Sequence, residues 1–154
     1  MRILLLVVGR LKTGPEKDMA DDYIARFNKA GRQLGFRGLD LIEVESGGGM
    51  VAEGTRLLAK LPNSAKVLRL DEHGPQMASK DFAKHLAKLR DQGVPDLVFL
   101  IGGAEGYSPA VREACPDTLA FGPQTWPHRL VKVMLAEQIY RAASLLSGSP
   151  YHKG

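Results

Sequence analysis

The chain has 154 residues, 44% hydrophobic and 25% charged, the proportions of one folded domain and not of a disordered or fibrous chain. Its only cysteine, Cys115, excludes an intrachain disulfide and suits a reducing cytoplasm. The formal net charge is +4, and from residue 125 onward Arg129, Lys132, Arg141 and Lys153 face a single acid, Glu137, a balance that fits a polyanion and equally a solvated helix face.

In chain order, the apolar run Ile3 to Val8 is far short of the roughly 20 residues of a membrane helix. No small-residue cleavage site follows it, so it reads as a buried strand. Further strands are expected at Leu39 to Val44, Val67 to Leu70, Leu97 to Ile101 and Leu119 to Phe121. Between them, Met19, Tyr23, Ile24 and Phe27 recur at helical spacing behind a Thr13/Glu16 capping box. Met50, Leu57, Leu58 and Leu61 mark a second helix, and Phe82, Leu86 and Leu89 a third, with Ser79 as N-cap and Gly93 as stop. Ser108-Pro109 and Pro127 open a fourth and a fifth, the last ending at Gly148. This alternation predicts one α/β domain over residues 1–154, with a five- to six-stranded, mostly parallel sheet and helices on both faces. The loop Ser46-Gly47-Gly48-Gly49 reads as mobile surface.

The fifth helix is apolar on more than one side, through Leu130, Val131, Met134, Leu135, Ile139, Ala142, Leu145 and Leu146. A helix apolar nearly all round needs cover nearly all round. The sheet supplies one cover, and a second copy of the chain across a two-fold axis is the expected other.

Gly102-Gly103-Ala104-Glu105-Gly106 follows an apolar strand, where open α/β sheets bind ligands. Its spacing matches neither the dinucleotide fingerprint nor the P-loop. Glu105 would repel a diphosphate and favour a cationic ligand. A plain strand-to-helix turn would use the same glycines. Phe121-Gly122-Pro123-Gln124-Thr125-Trp126-Pro127-His128 is a rigid bend whose exposed backbone could cradle a flat ring, and His128 lies in the first helical turn. Glu137 and Arg141 form an i, i+4 pair among apolar neighbours, and the tail Pro150-Tyr151-His152-Lys153 combines an aromatic, a titratable ring and a cation.

Leu-Ile-Gly-Gly-Ala-Glu-Gly from Leu100, Thr-Trp-Pro-His from Thr125, Glu-Gln-Ile-Tyr-Arg-Ala from Glu137 and Pro-Tyr-His-Lys from Pro150, taken in this order, resemble the large-subunit ribosomal pseudouridine N3-methyltransferase family of the SPOUT class. The resemblance runs from the Val-Val-Gly of the first strand to the tail. It implies an α/β domain with a C-terminal trefoil knot, a homodimer and S-adenosylmethionine held in the knot loops. It implies cofactor contacts at Leu70, Gly102, Gly103, Phe121, Gly122, Pro123, Gln124, Thr125 and Trp126. It implies a substrate side formed by His128, Glu137, Arg141, Tyr151 and His152, with the tail closing over the partner's cofactor site.

The activity so implied is methylation of N3 of a pseudouridine in 23S ribosomal RNA, on the assembled ribosome, in the cytoplasm and without a metal or a membrane. Methyl transfer to that nitrogen requires alignment and loss of the imino proton. His128, Glu137 and His152 are its candidate acceptors. A non-enzymatic RNA-binding protein of the same shape is the alternative, and it would ignore S-adenosylmethionine.

Overall fold

Ile3, Leu5 and Val7 of the first strand, β1 (Arg2–Val8), point into one apolar cluster, while Leu4, Leu6 and Val8 point into another. Side chains alternate across a strand, so a continuous apolar run is what a strand covered on both faces requires. The computed structural model describes residues 1–153, with the side chain of His152 and all of Gly154 outside the described residues. Four further strands, β2 (Gly38–Val44), β3 (Lys66–Leu70), β4 (Asp96–Ile101) and β5 (Thr118–Leu119), complete a sheet of order β2-β1-β4-β3-β5. Every pairing in it is parallel. The expected five- to six-stranded, mostly parallel sheet is thus five-stranded and wholly parallel among the described residues.

Helices α1 (Pro15–Gly31), α3 (Ser79–Asp91) and α5 (His128–Ser147) cover the face of Ile3, Leu5 and Val7, through Phe27, Phe82, Leu86, Leu135 and Ile139. Helices α2 (Met50–Lys60) and α4 (Pro109–Ala114) cover the other through Leu57 and Val111. Each such fully buried side chain contributes about 1.5–3 kcal/mol of burial free energy.

Local starts and stops follow the residues, with instructive exceptions. Ser108 caps α4 as expected, its Oγ accepting from the Val111 amide at 3.2 Å with Pro109 behind it. Gly93 and Gly148 adopt φ of +78° and +74°, the left-handed region where glycine is unstrained. The Thr13/Glu16 capping box does not form: Gly14 is the cap of α1 and Pro15 its first residue, because proline's fixed φ starts the helix one residue beyond the threonine's reach. Ser79 is the first residue of α3 and not its cap, which is Ala78. Its hydroxyl instead donates to Gln138 Oε1 at 2.7 Å, joining α3 to α5.

Phe121 lies beyond β5, which ends at Leu119. Ala120 makes only an isolated bridge to Gln76, and the chain then turns at Gly122, whose φ is +90°. The loop at residues 46–49 is exposed but not free. Glu53 Oε2 accepts from the Gly47 amide at 2.9 Å, and Arg56 donates to the carbonyls of Glu45 (2.9 Å) and Gly47 (2.7 Å).

The apolar surface on α5 is covered in part within the chain, for Leu130 is 41% exposed and Val131, Met134, Leu145 and Leu146 are half-buried. Leu135, Ala136, Ile139, Ala142 and Ala143 are all fully buried, because α5 packs against both α1 and α3. The chain thus covers one part of that width and leaves the part formed by Leu130, Val131, Met134, Leu145 and Leu146 incompletely covered, which is compatible with the second copy expected from sequence.

Candidate active site

A cavity of about 340 Å³ opens at the carboxyl ends of β3, β4 and β5, the end of a parallel sheet at which ligands bind. Leu70, Gly102, Gly103, Phe121, Gly122, Gln124, Thr125 and Trp126 line it, as does His128, while Pro123 does not. Eight of the nine residues expected to hold the cofactor are thus brought to one place by three strand ends. Glu105 is absent from the lining, and the acids that do face the cavity, Asp71 and Glu72, carried no signal of their own in the sequence.

The glycine turn is shaped from behind. Gly106 has φ +83° and returns its amide to the Gly103 carbonyl at 3.0 Å. A Cβ on Gly102 would come within 3.0 Å of the Tyr107 ring, and one on Gly103 within 2.7 Å of Glu53 Oε1. Packing therefore leaves little room for a side chain at either position, whatever ligand also exploits the bare backbone.

The bend at residues 121–127 is held by its own side chains. Trp126 Nε1 donates to the Phe121 carbonyl at 3.1 Å, and the Thr125 hydroxyl donates to the Glu72 carboxylate. Asp71 Oδ1 accepts from the His73 amide at 2.9 Å, and Asp71 Oδ2 lies 3.5 Å from the guanidinium of buried Arg69. Asp71, which faces Arg69, and Glu72 are the carboxylates of the lining, and Arg112 is a cation within it.

The remaining substrate-side residues sit elsewhere. Glu137 Oε1 receives Arg141 NH2 at 2.6 Å, Arg141 Nε at 2.8 Å and the Tyr151 hydroxyl at 3.2 Å. Tyr151 also meets the Tyr23 hydroxyl at 3.4 Å, packs edge-on against Tyr140 and lies 5.3 Å from the Arg141 guanidinium. The bond to Glu137 raises the pKa of Arg141 above its ordinary value. Burial, with the contact to Tyr23, pushes the Tyr151 phenol up as well, so at neutral pH both are hydrogen-bond donors.

Glu137 lines a second cavity of about 440 Å³, bordered by Met19, Phe82 and Met134 and divided from the first by residues 119–122. Nine residues separate His128 from Glu137 on α5, about 13 Å along a helix. One chain thus brings His128 to the first cavity and Glu137, Arg141 and Tyr151 to another place, with Tyr151 folded onto its own α5 and α1. The expected His152 lies outside the described side chains.

Lys132, counted with the basic residues that fit a polyanion or a solvated helix face, is neither free nor solvated. It is buried, with its ammonium 2.9 Å from the Gly9 carbonyl and 3.3 Å from Glu43 Oε2, and only an ion-pair partner 89 positions away explains a lysine there. Among the described residues no helix is long and apolar enough to cross a membrane, and no group of three or more His, Cys, Asp and Glu side chains is arranged to hold a metal.

The profile of the family described as "Predicted SPOUT methyltransferase" matches residues 1–152. A protein of Hyphomonas neptunium named ribosomal RNA large subunit methyltransferase H is 60% identical over 153 residues, covering 99% of each chain. Proteins of the same name from Ruegeria pomeroyi and Nitrobacter winogradskyi are 50% identical over 155 residues and 49% over 160, covering 99% and 100% of each chain. With so nearly the whole length matched, and with relatives this similar from end to end, the chain belongs to the SPOUT methyltransferase family.

Proposed function

We propose that this chain methylates N3 of a pseudouridine in large-subunit ribosomal RNA, using S-adenosylmethionine, as a single domain over residues 1–154 that works as a homodimer on the ribosome in the cytoplasm. The observation that carries this reading is the cavity at the strand ends, which gathers Leu70, the glycine turn and the 121–126 bend in a chain 60% identical to a ribosomal RNA large subunit methyltransferase. Its volume lies within the range of small-molecule sites, roughly 300–1,000 Å³. When bound, S-adenosylmethionine supplies an electrophilic methyl group on a positively charged sulfur.

The protein's own residues then orient the base, keep water out and remove the N3 proton. His128 is the candidate acceptor that lines the cavity, which favours it over Glu137, whose Oε1 is already engaged by Arg141 and Tyr151. Of the basic residues beyond 125, Arg129 and Lys153 are exposed and suit contact with phosphates.

The division of the site supports the homodimer. Glu137, Arg141 and Tyr151 do not line the cavity that His128 lines in their own chain, and a two-fold partner would present them to it. The implied trefoil knot accords with the chain path. The amide of Ala120 bonds the carbonyl of Pro75 at 2.9 Å, so the segment leading into α5 runs beside the loop between β3 and α3.

The test is transfer of a labelled methyl group from S-adenosylmethionine to ribosomes, subunits and free RNA, each with and without prior isomerisation of the target uridine. Label confined to N3 of the isomerised base supports the reading. No transfer to any substrate overturns it.

A further inference from the structure

The ladder between β3 and β4 ends at the pair Arg69 and Leu100, and beyond it the two strands part to form the mouth of the cavity. The next rung is supplied by a side chain. The Tyr107 hydroxyl accepts from the Gly102 amide at 3.2 Å, and its hydrogen lies within reach of both the Leu70 carbonyl (2.8 Å) and the Leu100 carbonyl (2.9 Å). We propose that Tyr107 is a positioning residue, whose hydroxyl fixes the separation of the β3 and β4 ends and so presets the cavity mouth for the adenosyl ligand.

Three observations carry this. The hydroxyl touches the last residue of β3, Leu100 on β4 and the first residue after that strand, and among the described residues no other side-chain hydrogen bond joins those two ends. The ring is itself held on two sides. Gly102 packs against one, so closely that a Cβ there would lie 3.0 Å from the ring, and the Arg69 guanidinium lies 4.9 Å from its centroid. Arg69 is in turn buried and anchored through Nε to the Cys115 carbonyl at 2.5 Å. A hydroxyl held this firmly sets a distance, because neither the ring nor the strands can shift without breaking several contacts.

It follows that the Gly102 amide is occupied by the protein. Ligand contacts to the backbone of this turn therefore fall to Gly103 and Ala104, and Gly102 contributes by leaving room for the ring. The inference rests on the cavity being the cofactor site, and two separate readouts keep the ideas apart.

Tyr107→Phe keeps the ring and removes the hydroxyl. In ligand-free protein, amide exchange at Gly102 should accelerate at least tenfold, beyond any general loss of protection in β1 and β2, while the protein still melts in one cooperative transition. Calorimetry should then show S-adenosylmethionine binding weakened roughly five- to twentyfold, and in turnover KM for the cofactor should rise while KM for ribosomes is unchanged. Unchanged Gly102 protection overturns the clamp whatever the cavity binds. Lost protection with wild-type cofactor affinity overturns the positioning role. A wild-type protein that binds no S-adenosylmethionine, with Gly102 still deprotected in Tyr107→Phe, overturns the cofactor reading and with it the adenosyl ligand, while the strand clamp stands.

Discussion

Lys132 and Glu43, 89 positions apart in the chain, meet at 3.3 Å beneath the first turns of α5. Glu43 Oε2 also accepts the Leu11 amide at 2.6 Å, and Lys132 holds the Gly9 carbonyl. The pair therefore ties α5 to the loop leaving β1. Burial pulls the ammonium below its ordinary pKa, and Glu43 opposes that shift. Lys132→Met should leave Glu43 half-buried without its cation and destabilise the protein by about 2 kcal/mol. A wild-type denaturation midpoint in Lys132→Met would mean that the pair contributes nothing.

His85 on α3 is held below its ordinary pKa of 6.5, first by burial and then by Lys66 and Lys88. The folded state therefore takes up a proton less readily than the unfolded one, and stability must fall as pH drops from 6.5 through the folded value, levelling once both states are protonated. His85→Gln should flatten that part of the profile. Melting curves between neutral and mildly acidic pH that keep the same slope in the variant would assign the effect to other groups.

Trp126, the only tryptophan, lines the cavity and is anchored through Nε1 to the Phe121 carbonyl. Saturation with S-adenosylmethionine should change its emission, and Trp126→Phe should remove the signal while calorimetry still records binding. Neither an emission change nor heat in the wild type would dissociate this cavity from the cofactor.

Periodicity and turn chemistry made the strands, the Ser108 cap and the Gly93 and Gly148 stops legible, because each is decided by neighbours in sequence. What was not legible depends on distant pairs. The tie from Lys132 to Glu43, the Arg69 anchor and the Tyr107 rung each join segments many residues apart, and no local pattern marks them. The Thr13 cap failed for a local reason, Pro15 taking the first helical position. The packing of α5 on α1 and α3 was not legible either, because an amphipathic width says how much must be covered and not by which helices. At the cavity, residue chemistry alone suggested a ligand-binding glycine turn and a bend from Phe121 to His128 able to cradle a flat ring. The full set from Leu70 to Trp126 came with the family resemblance.

Burial also changes what a dimer test must use. Leu135 and Ile139 are fully enclosed by their own chain, so an aspartate at either should unfold the protein instead of splitting a dimer. A far-UV spectrum and a sedimentation mass would separate the two outcomes, and a folded monomer would contradict the burial.

The proposed sharing of one site between two copies can be tested without weakening the interface. Ala104 is exposed and lines the cavity, so Ala104→Trp should fill it and abolish cofactor binding without disturbing the fold. Glu137→Ala should leave cofactor binding intact, since that residue lines the other cavity, and should lose methyl transfer. Each variant alone should be inactive on ribosomes. If Glu137 serves the partner's cavity, a mixed dimer carries one site with an open cavity from the Glu137→Ala chain and an intact Glu137 from the Ala104→Trp chain. Random exchange of equal amounts makes half the dimers mixed, with one good site of two in each, so about one quarter of wild-type activity should return for a two-fold assembly. If each Glu137 serves its own cavity, every site in the mixture carries a defect and the activity stays at the level of the separate variants. Transfer rates measured before and after co-refolding the two chains decide between these outcomes.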